Sequence, residues 1–207
     1  MAVIVTNADL HISPGRVRHG VLQSIDGRIT DQDVPVEVST IIEAAGSSVV
    51  PLLVDTVFTG EAPPSEDSFD LLPGNPATFA VTRGSVGVTA IRNMLIVDPE
   101  DLEAVVIHGR LVVRKGIPVR PAGTDDLHEN DPRLGAWTDP TRDMTQYLSR
   151  DGRYSETRQG RRNAFTGRFW LDADRITYLD DTGFWAFGQY HQGILHHAGF
   201  VLRPGTH

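Results

Sequence analysis

The stretch RITYLDDTGFWAFGQYHQGILHHAGFVL, residues 175–202, decides the fold of the C-terminal part of this chain. Short apolar and aromatic runs alternate here with turn signals, of which Asp180-Asp181-Thr182-Gly183 and Gln192-Gly193 are the clearest. Runs of strand length separated by tight turns are typical of antiparallel sheets. The stretch therefore predicts consecutive antiparallel strands joined by hairpins.

The same pattern extends back to Leu134. Turn signals recur at Asp151-Gly152 and at Asp172-Ala173-Asp174, a spacing expected of an up-and-down barrel or a sandwich. We therefore predict a small antiparallel β-barrel over residues 134–203. Residues 120–133, which are rich in Pro, Gly and Asp, are predicted to be a linker.

Residues 1–119 are predicted to form a second β-unit, so the fold class is all-β. Val21–Ile25 and Arg28–Thr30 flank an Asp-Gly turn, and the run Ala90–Val97 is predicted to be a further strand. A Pro- and Ser-rich segment, residues 60–75, is predicted to be a linker within this unit. Helical periodicity is absent apart from a short candidate at Pro99–Leu102.

Composition restricts the function classes. The chain has 207 residues, a net charge of −8 and no cysteine. The acidic balance argues against nucleic acid and anionic membranes as partners, because phosphate contacts need clustered Lys and Arg. The absence of cysteine excludes disulfides and thiolate metal sites. With no signal-peptide pattern after Met1 and no apolar run of membrane-spanning length, we expect a cytoplasmic protein.

Three motifs of the first unit are Ile4-Val5-Thr6-Asn7-Ala8, Val49-Val50-Pro51-Leu52-Leu53-Val54-Asp55-Thr56 and Val105-Val106-Ile107-His108-Gly109-Arg110-Leu111-Val112. Together they resemble the β-sandwich of the amidohydrolase superfamily, of the dihydroorotase and imidazolonepropionase type. Working members carry a metal-binding His-x-His pair after the second motif, followed by a TIM barrel. Here the corresponding positions are Val57, Phe58 and Thr59, and residues 60–75 stand in place of the barrel. The resemblance implies a remnant without hydrolase activity.

In the second unit, the motifs Asp151-Gly152-Arg153-Tyr154-x-Glu156-x-Arg158, Ile176-x-Tyr178-x-Asp180-Asp181-Thr182-Gly183-Phe184 and Leu195-His196-His197-x-Gly199-Phe200 extend over most of residues 134–203. They resemble a family of short bacterial proteins with a streptavidin-like or lipocalin-like barrel. The resemblance implies a barrel fold and does not imply an activity.

Ionisable side chains share a face on each of two predicted strands. In a strand of period two, Tyr154, Glu156 and Arg158 share one face, as do Tyr178 and Asp180. Glu156, Tyr178 and Asp180 are candidate catalytic residues, because each can donate or accept a proton and burial can shift the pKa of such a group. The alternative is a structural ion pair beside packed tyrosines.

The histidine pair His196-His197 is the second candidate feature. If Gln192-Gly193 is a two-residue turn, Gly188 lies opposite His197, and His196 points to the other face. Glycines on the same face are expected to leave space beside His197, which is therefore the preferred catalytic histidine. A histidine that is merely hydrogen-bonded in the core is the alternative.

Further side chains are candidates for ligand binding. They are Tyr154, Arg158, Trp137, Tyr190, His196 and Trp185, although core packing explains each tryptophan equally well. Only His191, His196 and His197 can approach one another, without a carboxylate at ligand spacing, so neither a metal nor another cofactor is predicted.

The leading hypothesis is a barrel that binds a small, largely apolar organic molecule, with the first unit as a docking or dimerisation platform. If the barrel is catalytic, cofactor-free proton transfer in an isomerase, cyclase or dehydratase fits the residues best. One alternative is a non-catalytic interaction module with a filled lumen. The other is a residual metal-dependent amidohydrolase.

Overall fold

A computed structural model describes residues 1–60, 62–122 and 131–205 of the chain. Residue 61 of the predicted linker 60–75, and residues 123–130 of the predicted linker 120–133, lie outside the described residues. Within the described part most of the regular secondary structure is β-strand and the helices are short, so the predicted all-β class is confirmed. No helix among these residues has the length and apolar character needed to cross a membrane.

The first unit is one mixed sheet of nine strands. Its strands are β1 (Ala2–Ser13), β2 (Arg16–Ile25), β3 (Arg28–Thr30), β4 (Ser39–Glu43), β5 (Ser47–Pro51), β6 (Phe79–Arg83), β7 (Leu102–Ile107), β8 (Arg110–Arg114) and β9 (Ile117–Pro118). Their order is β3-β2-β1-β5-β6-β7-β8-β9, and β4 pairs in parallel with β1. One face buries a cluster built on Val5, Leu10 and Phe79.

Short helices connect these strands. They are the 3₁₀ helices Val36–Val38, Asp55–Thr59 and Glu66–Phe69, and the α-helix Val88–Asn93. The α-helix overlaps the run Ala90–Val97, so the prediction of a strand there is wrong for its first half. Ile91 is buried in a helical turn, which satisfies the backbone locally where no neighbouring strand is available. The expected helix at Pro99–Leu102 is a turn that leads into β7.

The second unit is a closed barrel of eight antiparallel strands, which confirms the barrel prediction. The strands are β10 (Gly135–Asp139), β11 (Met144–Leu148), β12 (Arg153–Arg158), β13 (Arg161–Asp172), β14 (Arg175–Asp180), β15 (Trp185–His191), β16 (Ile194–His197) and β17 (Phe200–Pro204). Each strand pairs with the next, and β17 closes the barrel on β10. A 3₁₀ helix, Pro140–Arg142, joins β10 to β11.

The barrel interior is filled by side chains. Its buried apolar cluster includes Trp137, Met144, Phe169, Ile176 and Leu195. Gly188 faces His197 across the β15–β16 pair, as the sequence predicts. The expected space beside His197 is absent, because a Cβ on Gly188 would lie 2.8 Å from Ile176 Cγ2 and 2.9 Å from the His196 carbonyl oxygen. The glycine permits close packing rather than a cavity.

The two units share a packed seam. Trp185 and Trp170, on the outer wall of the barrel, join a buried cluster of the first unit that includes Ile91 and Val105. Val97 and Trp185 exchange two backbone hydrogen bonds, of 3.1 and 2.8 Å, so the chain after the α-helix pairs with the start of β15. Met94 packs against the interior cluster of the barrel. The first unit therefore packs against the barrel wall and pairs with the start of β15.

Candidate functional site

The barrel interior contains two separate carboxylates. Asp180 ends β14 and is buried. Its Oδ2 accepts a 2.8 Å hydrogen bond from Tyr154 Oη, and its Oδ1 accepts bonds from the backbone nitrogen and hydroxyl of Thr182. Asp180 thus caps the β14–β15 turn and orients Tyr154. Burial and this carboxylate raise the pKa of Tyr154 far above its usual value, so the phenol stays protonated.

Glu156, on β12, is the second carboxylate and is only 1% exposed. Its Oε1 accepts a 2.9 Å bond from Gln146 Nε2 and lies 3.4 Å from His197 Nε2. Its Oε2 accepts a 2.8 Å bond from Arg158 Nε, with Arg158 Nη2 at 2.6 Å. Burial alone would raise the pKa of Glu156, but His197 and Arg158 outweigh it and the pKa is lowered. The group is therefore a carboxylate at neutral pH.

Tyr178 and His197 complete this network. Tyr178 Oη donates a 2.8 Å bond to Gln146 Oε1, and its ring centroid lies 4.3 Å from that of His197. Burial, followed by the nearby Tyr190, Glu156 and Tyr154, raises the pKa of Tyr178 well above its usual value. Gln146 therefore accepts from a phenol and donates to a carboxylate, which fixes the orientation of its amide.

A half-buried aromatic rim covers the network at the end of the barrel that carries the β12–β13 and β16–β17 turns. We call this end the mouth; its aromatic side chains are Phe165, Phe184 and Phe200. The Arg158 guanidinium lies 4.5 Å from the Phe165 ring centroid and 4.9 Å from that of Phe200. The Arg142 guanidinium lies 5.7 Å from the Phe200 ring centroid, and Arg142 donates to the Gly199 carbonyl oxygen. Arg158 is therefore both the partner of Glu156 and part of its cover.

Four of the predicted site residues meet in one cluster. Glu156, Arg158, Tyr178 and His197 are connected directly or through Gln146. Tyr154 joins them through an edge-to-face contact with Tyr178, with ring centroids 5.0 Å apart, and brings Asp180 with it.

The remaining candidates lie elsewhere. Trp137 and Tyr190 form an edge-to-face pair towards the opposite end of the barrel, with centroids 5.3 Å apart. The Tyr190 hydroxyl is buried without a hydrogen-bond partner among the described residues. Trp185 belongs to the seam and His196 to the outer wall, where its Nδ1 is 3.1 Å from Thr56 Oγ1.

Sequence reasoning did not identify Gln146, Arg142 or Phe200 as part of the site. A signal for Gln146 was present, because β11 alternates Met144, Gln146 and Leu148 on its buried face, and an amide between two apolar residues needs a polar partner. No comparable signal marks Arg142, whose contacts depend on the turn that contains Gly199. Within the described residues, no three His, Asp or Glu side chains group at metal-ligand spacing.

A second polar group lies at the seam. His108 Nε2 is 2.7 Å from Asp174 Oδ1, and Gln189 Nε2 donates a 3.0 Å bond to Asp174 Oδ2. Arg175 is buried beside them, donates to the Leu52 carbonyl oxygen, and has its pKa lowered to about 10 by burial. This group connects the β7–β8 turn to the barrel.

Comparisons with known proteins concern the barrel. The family model described as Agrobacterium tumefaciens protein Atu4866 matches residues 130–204. The solution structure of the protein Atu4866 from Agrobacterium tumefaciens is 35% identical, with 37% of this chain and 98% of that chain covered and a TM-score of 0.33. None of the curated proteins matches the chain. Over residues 130–204, which contain the C-terminal barrel, the chain is therefore similar to the family of Agrobacterium tumefaciens protein Atu4866.

Proposed function

We propose that the barrel binds a small, largely apolar organic molecule at its mouth, above the Glu156–His197 pair. The observation that carries this proposal is an ionised, almost fully buried carboxylate beneath three half-buried phenylalanines. Apolar surfaces around a few convergent polar groups are the usual composition of small-molecule sites.

Arg158 is the part of the cover that a ligand displaces. Its side chain is 31% exposed, whereas Glu156 beneath it is 1% exposed. A long arginine side chain can keep its charge in water while its stem changes rotamer. When the guanidinium moves outward, the ligand takes its place between Phe165 and Phe200 and reaches Glu156 Oε2. The filled interior below sets the depth to which the ligand enters.

The same arrangement supports cofactor-free proton transfer. Glu156 is held deprotonated and accepts a proton at a carboxylate oxygen, while His197 Nε2, 3.4 Å away, holds or returns it. Tyr178 keeps Gln146 aimed at Glu156, so Gln146 and Tyr178 are positioning residues. A ligand with an acidic C–H bond or a leaving hydroxyl group is the substrate class that this pair serves, as in isomerisation, cyclisation or dehydration.

Native mass spectrometry of the full chain, purified from its own host, tests the binding proposal. We expect an organic molecule that the wild type retains and that Phe200→Ala loses. Phe58→Ala is the matched control, because Phe58 is a half-buried phenylalanine that packs on Phe69 in the first unit. Retention by both variants, or an empty wild type, contradicts the proposal.

The filled interior favours a second candidate, a barrel that serves as an interaction module. Phe169, Ile176 and Leu195 are fully buried, which leaves the central lumen to side chains. In this alternative the first unit is the docking or dimerisation platform. A ligand-free protein that sediments as a stable dimer supports this alternative, and a ligand-free monomer excludes the dimer.

The resemblance of the first unit to an amidohydrolase sandwich stays a prediction. Val57 is fully buried and Phe58 packs edge-to-face on Phe69, so two of the positions that correspond to the His-x-His segment serve packing here. This use supports the proposal that the unit no longer hydrolyses amides. Stoichiometric zinc in the purified protein would contradict it.

A further inference from the structure

A second cavity lies outside the barrel, against the outer wall formed by β15, β16 and β17. Its volume is about 390 Å³, a size typical of small-molecule sites. His191, His196 and Arg203 lie on the outward faces of the three strands, and the 3₁₀ helix Asp55–Thr59 contributes Val57 and Thr59. We call this cavity the outer crevice.

Nitrogen donors dominate the polar lining of the outer crevice. Arg203 and two histidines contribute to it, and none of its described lining residues is acidic. The chain as a whole has 27 acidic and 19 basic residues, so the lining differs in charge from the chain average. Arg203 is the permanent positive charge of this lining, and a cleft with a positive charge attracts anionic ligands.

His196 contributes a donor position that is held in place. Its side chain is almost fully buried, and the 3.1 Å contact of Nδ1 with Thr56 Oγ1 leaves Nε2 for the crevice. Among the described residues Nε2 has no hydrogen-bond partner. Burial, and then the positive charges of His191 and Arg203, lower the pKa of His196 to about 4. An anion beside Nε2 compensates for these effects.

The rest of the lining is apolar. Val57, Ile194 and Val201 line the outer crevice together with the nitrogen donors. An inorganic anion would leave these side chains unused, whereas an organic acid with a short apolar body contacts both parts of the lining.

We propose that the outer crevice binds a small organic acid. The carboxylate lies between Arg203 and His196, and the apolar body lies against Val57, Ile194 and Val201. This site is separate from the mouth of the barrel and does not rest on the function proposed there.

Isothermal titration and NMR of the full chain test this proposal with three probes. 4-Methylpentanoate has the acid and the apolar body, 4-methylpentanamide lacks the charge, and inorganic phosphate lacks the body. We expect the carboxylate to bind at least about tenfold more tightly than either of the other probes. We also expect its binding to raise the pKa of the His196 ring.

Variants locate the binding. Arg203→Gln is expected to weaken 4-methylpentanoate binding about tenfold, whereas Arg203→Lys retains the charge and most of the affinity. Arg92→Gln removes an exposed arginine of the α-helix and is the matched control, with unchanged affinity. Phosphate binding of equal strength, an equal loss in Arg92→Gln, or loss in Glu156→Gln with retention in Arg203→Gln would each overturn the proposal.

Discussion

His108 and Asp174, 66 positions apart in the sequence, connect the two units through a 2.7 Å contact between Nε2 and Oδ1. His108 occupies the β7–β8 turn with a φ of 46°, a left-handed conformation that aims its ring at the barrel. Gly109 follows it, and a Cβ there would lie 2.8 Å from Gly27 Cα, so the tips of the β2–β3 and β7–β8 hairpins are in close contact. The position of His108 is thus set by backbone contacts rather than by its own rotamer alone.

This pair predicts acid sensitivity of the seam. Burial alone would raise the pKa of Asp174, but the His108 hydrogen bond and the charges of Arg175 and His108 give a net lowering. A carboxyl group whose pKa is lowered in the folded state stabilises the protein at pH values above its pKa in the unfolded state, which is about 4. This stabilisation is lost as the pH falls further. We expect Asp174→Asn to show a shallower loss of stability below about pH 4 than the wild type. Urea unfolding at several pH values measures the unfolding free energy of both proteins. The same change of this free energy with pH in the wild type and in Asp174→Asn would contradict the prediction.

His196 predicts a second loss of stability on acidification, at higher pH than that of Asp174. Its pKa is lowered to about 4 in the folded protein by burial and neighbouring positive charge. Protons therefore bind the unfolded state first, so stability falls as pH decreases from about 6.5 to about 4. We expect His196→Gln to remove a pH-dependent change in unfolding free energy of about 3 kcal/mol over this interval. His19→Gln is the control, because His19 is exposed on β2.

The buried ion pair at the mouth predicts strong coupling between Glu156 and Arg158. If either charge is removed, the remaining charged group loses its ionic partner and its hydrogen bonds to that partner. Glu156→Gln is therefore expected to lower the unfolding free energy by about 2 kcal/mol. The double variant Glu156→Gln/Arg158→Gln should cost less than the sum of the single variants, because neither charge is then left unpaired. Chemical denaturation of the wild type, the two single variants and the double variant gives the coupling free energy between the two residues. If the losses of unfolding free energy in the single variants simply add in the double variant, the two residues are not coupled.

Gly188 predicts a steric penalty beside the candidate site. Gly188→Ala places a methyl group within 3 Å of Ile176 Cγ2 and of the His196 carbonyl oxygen, and overpacking of this kind costs about 1–3 kcal/mol. Gly15→Ala is the matched control, since nothing lies within 4 Å of its Cβ position. Thermal unfolding should separate the two, with the melting temperature of Gly15→Ala near that of the wild type. Equal melting temperatures would show that β15 and β16 can move apart.

The barrel and its site differ in how far the sequence predicts them. The turn at Gln192-Gly193 correctly places Gly188 opposite His197, because a two-residue hairpin fixes the register of both strands. Alternation likewise brings Tyr154 and Asp180 to the same interior, where they share a hydrogen bond. Local pattern is sufficient for these features because they depend on strand period and turn length alone.

Strand period and turn length do not predict contacts between segments that are distant in the sequence. His108 and Asp174 both lie in turns, where no periodicity assigns a face. The run Ala90–Val97 has the composition of a strand, yet its first half is helical because the sheet offers it no neighbour. The sequence also does not predict whether the barrel interior contains free space. A glycine on an inward face is compatible with a cavity or with close packing, and at Gly188 the contact with Ile176 shows close packing.

The bridge between Val97 and Trp185 has a consequence for how the chain tolerates dissection. β16 pairs with β15 only as far as Gly188, so the first residues of β15 rely on the segment around Val97 for their outer hydrogen bonds. Cutting the chain between the units would leave this length of β15 with unpaired backbone groups beside an uncovered Trp185, and such an edge recruits strands from other molecules. We therefore expect the first unit to limit self-association of the barrel, because it covers Trp185 and pairs with the start of β15.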